Sequence, residues 1–265
     1  MIDQISNAHE NVSGRCWPNG VPKALPAENE IQVWSTDLVR SPEQIAELAA
    51  LLADDERQRA AAFRFPVHKD HFIMGRGLLR VLLALYLERP PEKLRLKVGL
   101  HGKPCLAGAE SAVGLHFNVS HSGDSALYAI ARREVGVDLE AHDREIEFTA
   151  LMKRISTPRE IAQFQTCPTH RRKAQFFACW TRKEAIAKAS GRGLAGGTRT
   201  WEICLAEGVG PENRISLHDT QGQPWSVLTL PLISDWSGAL AARGWEWQWQ
   251  GWRLPEGFLG RNRGS

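Results

Sequence analysis

The sequence predicts a mixed α+β fold built from two halves, on three observations. Helical and strand periodicities both recur along the chain. The order strand, helices, further strands occurs twice, with the second occurrence beginning near Val135. The 265 residues suit one large domain or two of about 100–150 residues each. No residue-level repeat relates the halves, so the similarity lies in the order of elements alone.

Residues 1–30 are rich in Asn, Pro, Gly and Ser and read as a mobile leader. The first half, 31–134, opens on Ile31-Gln-Val-Trp34, a short alternating strand. Ser41-Pro-Glu-Gln44 then starts a helix: Ser41 caps free backbone N–H groups, Pro42 fits the first turn, and Gln44 closes a capping box. Asp54 is placed to cap a second helix, through Arg57 and Arg59. A third helix runs from about Lys69 to Leu87, where Pro90-Pro91 forbids continuation. Leu94, Leu96, Val98 and Leu100 alternate with Arg95, Lys97, Gly99 and His101, a strand with one wet face. Gly102-Lys103-Pro104 turns the chain. Leu115, Phe117 and Val119 alternate again, and strands follow at Ala126–Ala131 and Val135–Glu140.

In the second half, 135–265, Thr157-Pro-Arg-Glu160 starts a helix. A longer one spans Arg172 to Ser190 and stops at Gly191 and Gly193. Short strands are expected at Trp201–Leu205, Ile215–Leu217, Trp225–Leu230 and Gly244–Gln250.

Composition excludes several classes. Lysine plus arginine is 33 against 30 acidic residues, a net +3, so the surface as a whole is no nucleic-acid binder. Cysteines 16, 105, 167, 179 and 204 form no CxxC pair and are odd in number. That argues against a disulfide framework or structural zinc and for a reducing, cytoplasmic compartment. The stretch Leu78–Leu87, interrupted by Arg80, is about half the ~20 residues of a membrane span. Neither a membrane nor a nucleic acid is an expected partner.

Three segments carry chemistry. In Val135-Gly-Val-Asp-Leu-Glu140 the strand period of two puts Asp138 and Glu140 on one face. Two such carboxylates repel unless a cation lies between them or water screens them. Taken alone, an ordinary strand with a wet acidic face accounts for this pattern. In Trp180-Thr-Arg-Lys-Glu-Ala-Ile-Ala-Lys188, helical spacing lines up Trp180, Glu184 and Lys188. A surface ion pair between Glu184 and Lys188 accounts for that. In Phe117-Asn-Val-Ser-His-Ser122, Ser120 and His121 follow an amphipathic strand and can donate to phosphate oxygens; a loop histidine bonded to backbone is the plainer alternative. Gly191-Arg-Gly-Leu-Ala-Gly196 closes a helix instead of opening one after a strand, so it is no dinucleotide fingerprint.

Together these segments resemble the Sfp-type (large) 4′-phosphopantetheinyl transferases, in the branch with the W-KEA signature. The matching residues are Gly102-Lys-Pro104, Phe117-Asn-Val-Ser-His-Ser122, Gly136-Val-Asp-Leu-Glu140, Trp180-Thr-Arg-Lys-Glu-Ala185 with Lys188, and Gly191-Arg-Gly-Leu194. The resemblance runs from about Ile31 to Leu194. It implies an α+β pseudo-dimer of two similar halves in one chain, with the active site between them. It implies a monomer that moves the 4′-phosphopantetheine arm of coenzyme A to a serine of an apo acyl, peptidyl or aryl carrier protein. Mg2+ is the implied cofactor and adenosine 3′,5′-bisphosphate the released product.

Residue by residue, Asp138, Glu140 and Glu184 match the family's magnesium site, and Lys188 its pyrophosphate ligand. Ser120 and His121 match coenzyme contacts. Gly102, Lys103 and Pro104 match the stretch beside the nucleotide, and Arg59 a basic residue serving the 3′-phosphate. Asp138, Glu184 and Lys188 are the implied catalytic residues, with Glu184 either a metal ligand or the base that takes the serine proton. Glu56 departs from the family, which often has a basic residue there. The segment Trp245-Glu-Trp-Gln-Trp249 lies outside the resemblance and reads as core packing or as an aromatic patch for a partner.

Overall fold

Each half of the chain folds one long helix onto one antiparallel sheet, and the two sheets meet face to face. The computed structural model describes residues 12, 17–22, 24–99, 102–143, 147–193, 198–203, 214–255 and 258. The first half contains β1 (Glu30–Asp37), α1 (Pro42–Ala50), α2 (Asp54–Ala61), α3 (Pro66–Leu87), β2 (Leu96–Val98), β3 (Pro104–Leu106), β4 (His116–Ser122) and β5 (Ser125–Ala131). The second contains β6 (Val135–Ala141), α4 (Phe148–Ile155), α5 (Pro158–Thr166), α6 (Arg172–Ser190), β7 (Ile215–His218), β8 (Pro224–Thr229), β9 (Trp236–Arg243) and β10 (Gln248–Arg253).

The halves share a topology, as the sequence led us to expect. The first sheet has the order β10-β1-β5-β4 and the second β6-β9-β8-β7, while β2 and β3 form a separate hairpin. In both sheets the opening strand pairs antiparallel with the closing one, and the hairpin partner of the closing strand lies beyond it.

Side-chain alternation builds the layers. On β5, Ala126, Tyr128 and Ile130 join Trp34, Phe117 and the Leu78, Leu79, Leu82 and Leu83 stripe of α3 in one core. The alternate residues Leu127, Ala129 and Ala131 join Ile31, Val33, Val135, Val137, Leu139, Leu228, Leu240 and Ala242 in a second core between the sheets. Ala239 and Ala241 turn to the far side, where Ala185, Ile186 and Ala189 of α6 cover them. The order is helix, sheet, sheet, helix.

Several elements follow the sequence residue for residue. Ser41 Oγ accepts the Gln44 N–H at 3.3 Å and Gln44 Oε1 accepts the Ser41 N–H at 3.1 Å, which completes the capping box. Thr157 and Glu160 cap α5 the same way, and α6 spans the predicted 172–190 and ends at Gly191 in the left-handed region.

Others differ. Asp54 does not cap α2; Glu56 accepts the Ala53 N–H instead. The strand expected over 94–101 shortens to Leu96–Val98, with Leu100 and His101 outside the described residues. Residues 201–203 form no strand, and Leu205 is likewise undescribed. The strand expected from Gly244 begins at Gln248, because Gly244 turns the chain with φ 85°. Trp247 is buried, Trp245 is exposed, and Trp252 stacks on Trp34 at 5.1 Å. The strand β9 was not foreseen. Its Gly238-Ala-Leu-Ala-Ala242 run has helix-forming composition, yet lies between two cores that leave room only for small side chains.

Of the segment expected as a leader, the described part is packed. Trp17 is buried against Gly251, where an added Cβ would lie 2.6 Å from its ring. Gly20 N–H donates to the Arg253 carbonyl at 3.0 Å. The strand β10 crosses back from the second half to pair parallel with β1.

Gly136 sets the spacing between β6 and α6. A Cβ there would lie 2.1 Å from the Ala185 carbonyl oxygen and 2.4 Å from the Ala189 nitrogen. Backbone cannot yield as a flexible side chain can. Gly136→Ala is expected to cost about 3 kcal/mol of folding free energy, measured by urea unfolding; an unchanged midpoint would mean that α6 can withdraw from β6 freely.

Candidate active site

On β6, Val135, Val137 and Leu139 enter the central core. Gly136, Asp138 and Glu140 therefore face α6. The bare backbone at Gly136 lets the helix come close, and its stripe of Trp180, Glu184 and Lys188 lies along the strand. Lys188 Nζ donates to Asp138 Oδ1 at 2.6 Å, and Trp180 Nε1 donates to Glu140 Oε1 at 3.3 Å. Glu184 stands one turn from each of these anchors. The acidic face of β6 is thus a helix-covered site: Asp138 is 3 % exposed.

The other border of the site comes from β4. Its Asn118, Ser120 and Ser122 point at the free edge of β6 and match its period. Asn118 Oδ1 accepts the Val137 N–H at 2.8 Å, Ser120 Oγ that of Leu139 at 3.3 Å, and Ser122 Oγ that of Ala141 at 3.1 Å. The same hydroxyls donate onward, Ser120 to Asp138 Oδ1 at 2.9 Å and Ser122 to Glu140 Oε2 at 3.3 Å. Ser120 Oγ also accepts from Lys188 Nζ at 2.9 Å, which fills its bonding capacity.

Electrostatics follow from this enclosure. Burial, followed by repulsion from Asp138 and Glu140, pushes the Glu184 carboxyl up to about 7, against the pull of Lys188. Asp138 Oδ2 is buried with no hydrogen-bond partner. In a site of three carboxylates, such an atom has room for one more hard cation. As the side chains lie, no three His, Cys, Asp or Glu groups among the described residues form a metal-holding set. Lys188 serves as the counterion of Asp138 instead.

The remaining predicted residues surround this centre. His121 is exposed on the opposite face of β4 from Ser120. Loss of hydration, then the proximity of His71, Lys188 and His68, holds its imidazole below the usual histidine range. His71 Nε2 lies 3.0 Å from Asp124 Oδ1. Gly102 turns with φ 81°, and Lys103 Nζ donates at 2.8 Å to the carbonyls of both Val135 and Lys188. Pro104 reaches a cleft that it lines with Arg59, Phe72, Arg76, Lys97 and Val98. Arg59 and Arg76 both lie over the Phe72 ring, at 5.4 and 5.9 Å.

Glu56, the departure noted in the sequence, has a structural task. It is buried, 2.6 Å from Arg80 Nε and 3.6 Å from Arg76 Nε. Arg76, which sequence reasoning placed only in a general basic cluster, thereby stands beside Arg59. Asn118 and Ser122 were also missed as site residues, although their two-residue spacing was visible. Lys183, next to Glu184, points away into the protein. It pairs with buried Glu160 at 3.0 Å and donates to the Trp201 carbonyl at 2.8 Å. Leu194 lies outside the described residues.

Carboxylates, a lysine, hydroxyls and a basic cleft at the junction of two α+β halves define an enzyme for phosphorylated, anionic substrates. Comparisons with known proteins narrow that class. The 4′-phosphopantetheinyl transferase superfamily matches residues 134–241, and the 4′-phosphopantetheinyl transferase N-terminal family matches residues 39–133. The chain is similar to the 4′-phosphopantetheinyl transferase HetI of Nostoc sp., 34 % identical over 237 residues, or 89 % of this chain and 97 % of that protein. It is also similar to the 4′-phosphopantetheinyl transferase psf-1 of Bacillus pumilus, 28 % identical over 80 % of this chain and 88 % of that one. The 4′-phosphopantetheinyl transferase Sfp of Bacillus subtilis is 23 % identical over 58 % of this chain and 67 % of its own length. The chain belongs to the 4′-phosphopantetheinyl transferase superfamily.

The raised Glu184 carboxyl has a stability consequence. Between its unfolded value near 4.5 and about 7, the folded state holds a proton that the unfolded state has released, so stability falls as pH rises through that window. In chelator, Glu184→Gln is expected to melt at higher temperature than the parent at pH 8, with the gap closing below pH 4.5; equal melting curves at pH 8 would contradict the assignment.

Proposed function

We propose that the protein transfers the 4′-phosphopantetheine arm of coenzyme A to a serine hydroxyl of an apo acyl, peptidyl or aryl carrier protein. The observation that carries this reading is the single site made by Asp138, Glu140, Glu184 and Lys188, in which Asp138 Oδ2 is buried with no partner. The serine oxygen attacks the phosphorus on the pantetheine side of the pyrophosphate. The bridging P–O bond breaks, and adenosine 3′,5′-bisphosphate leaves.

Each residue has a task in that step. Lys188 turns from Asp138 to the pyrophosphate oxygens and offsets their charge. Ser120 and His121 donate to phosphate from the β4 side. Glu184, poised near 7, accepts the serine proton, as a base matched to neutral pH should. The basic cleft supports binding of the nucleotide end: Arg59 and Arg76 suit the 3′-phosphate, and Phe72 and Pro104 give apolar walls for the base. Gly102 lets the ligand approach the backbone closely.

Asp138, Glu140 and Glu184 would hold Mg2+, whose preference is for a few carboxylates together with phosphate oxygens and water. When bound, the ion supplies charge neutralisation on the pyrophosphate and its leaving phosphate. A cytoplasmic monomer fits the same reading. Cys105, Cys167 and Cys179 are free thiols, as in a reducing compartment, and among the described residues no helix is long and apolar enough to cross a membrane.

Mass spectrometry of apo-carriers incubated with coenzyme A tests the reading directly. The carrier should gain the phosphopantetheine arm with Mg2+ and not in chelator. Asp138→Asn should slow transfer at least about a hundredfold in a protein that still folds; undiminished turnover would remove the metal assignment. Arg59→Ala should raise KM for coenzyme A about tenfold, the loss of one charge-assisted hydrogen bond, and should raise KM for dephospho-coenzyme A much less.

A further inference from the structure

Lys103 belongs to the first half of the chain, at the start of the hairpin strand β3, yet its ammonium group is spent on the second half. Nζ donates to the Val135 carbonyl, where β6 begins, and to the Lys188 carbonyl in the last turn of α6, both at 2.8 Å. The last four carbonyls of a helix have no partner within the helix and carry its negative pole. Lys103 supplies a cation and a donor to one of them from the opposite half. It also holds the main chain of the residue whose side chain reaches Asp138, and the strand on which Asp138 lies.

The loop that presents Lys103 is itself fixed. Gly99 N–H donates to the Lys103 carbonyl at 2.7 Å, and Gly102 adopts φ 81° next to it. Burial is extensive enough to bring the ammonium down to about 8, with Glu134 and Cys105 favouring the charge and Lys188 opposing it. Two charge-assisted bonds at good distance set against that desolvation describe a structural cation, not one waiting for an anion.

We propose that Lys103 is a positioning residue. It latches the β2–β3 hairpin of the first half onto β6 and α6 of the second, and thereby sets Lys188 and Asp138 against the Ser120 and His121 of β4. The family resemblance places the Gly102-Lys103-Pro104 stretch beside the nucleotide; the geometry assigns that contact to its backbone and to Pro104, and the ammonium to the latch. This inference rests on the transferase reading for its kinetic consequence, though not for its structural one.

Two variants test it, Lys103→Met, which keeps the stem and removes the donors, and Lys103→Gln, which restores a donor without charge. Amide hydrogen exchange on the ligand-free protein reads the latch independently of activity. Lys103→Met should speed exchange in the last turn of α6 and along β6, with β1 and α3 unchanged. Kinetics with coenzyme A and an apo-carrier should show kcat lowered about tenfold to a hundredfold with KM for coenzyme A changed less than about threefold, and partial recovery in Lys103→Gln. If exchange is unaltered, or if KM rises more than about tenfold while kcat stands, Lys103 is a substrate ligand and the latch is wrong. If Lys103→Met fails to fold, the exchange pattern and kcat of Lys103→Gln decide between the same two outcomes. If the parent protein transfers nothing, the transferase reading falls, while the exchange measurement still decides on the latch.

Discussion

Asn118, Ser120 and Ser122 stand at strand spacing along β4 and accept the N–H groups of Val137, Leu139 and Ala141. Without them the outer edge of β6 would be a row of unsatisfied donors at the junction of the two sheets. A further strand could have paired that edge, but strand pairing would have brought only backbone to it. Side chains close it and keep a second function, because two of the three hydroxyl or amide groups also bond to the acidic residues. The contact that joins the halves and the contact that orders the carboxylates are one set of atoms. At about 1 kcal/mol net for each bond, it is a modest stabiliser and a strong constraint on register, since a slip of one residue would turn Asp138 and Glu140 into the core.

Close approach of α6 is the second requirement, and small residues provide it. Gly136 on β6, Ala185 and Ala189 on α6, and Ala239 and Ala241 on β9 bring helix and sheet backbones together. Such proximity is what raises Glu184, for a carboxyl pressed between a helix and two other acids loses water and gains repulsion. The helix that carries these strained groups needs an anchor elsewhere, and the buried Glu160–Lys183 pair provides it. Glu160 accepts the N–H groups of Thr157 and Ile203 as well, so the carboxylate is fully occupied. Adjacent residues of α6 thus divide the work, Lys183 holding the helix and Glu184 facing the site.

Much of this was written in local patterns. Caps at Ser41 and Thr157, the length of α6, and the two-residue and four-residue periods of the acidic segments depend on near neighbours, and the structure follows them. The burial of Asp138 was not legible, since a strand face is wet or dry according to what packs on it, and α6 arrives from some 50 residues away. For the same reason β9 was missed: its alanines favour a helix locally, and only the two cores around it select a strand. Glu56 and Lys103 illustrate a third kind of failure. Their charges were visible, while their partners, Arg80 and two main-chain carbonyls, lie far along the chain.

The parallel pairing of β10 with β1 interlaces the two halves in chain order. During synthesis from the N-terminus, β1, β5 and β4 can assemble early, but one flank of β1 stays open until residues 248–253 have left the ribosome. The first sheet is therefore the last to be completed. Its nascent edge is the point at which a stalled or clipped chain would be most prone to pair with a neighbour.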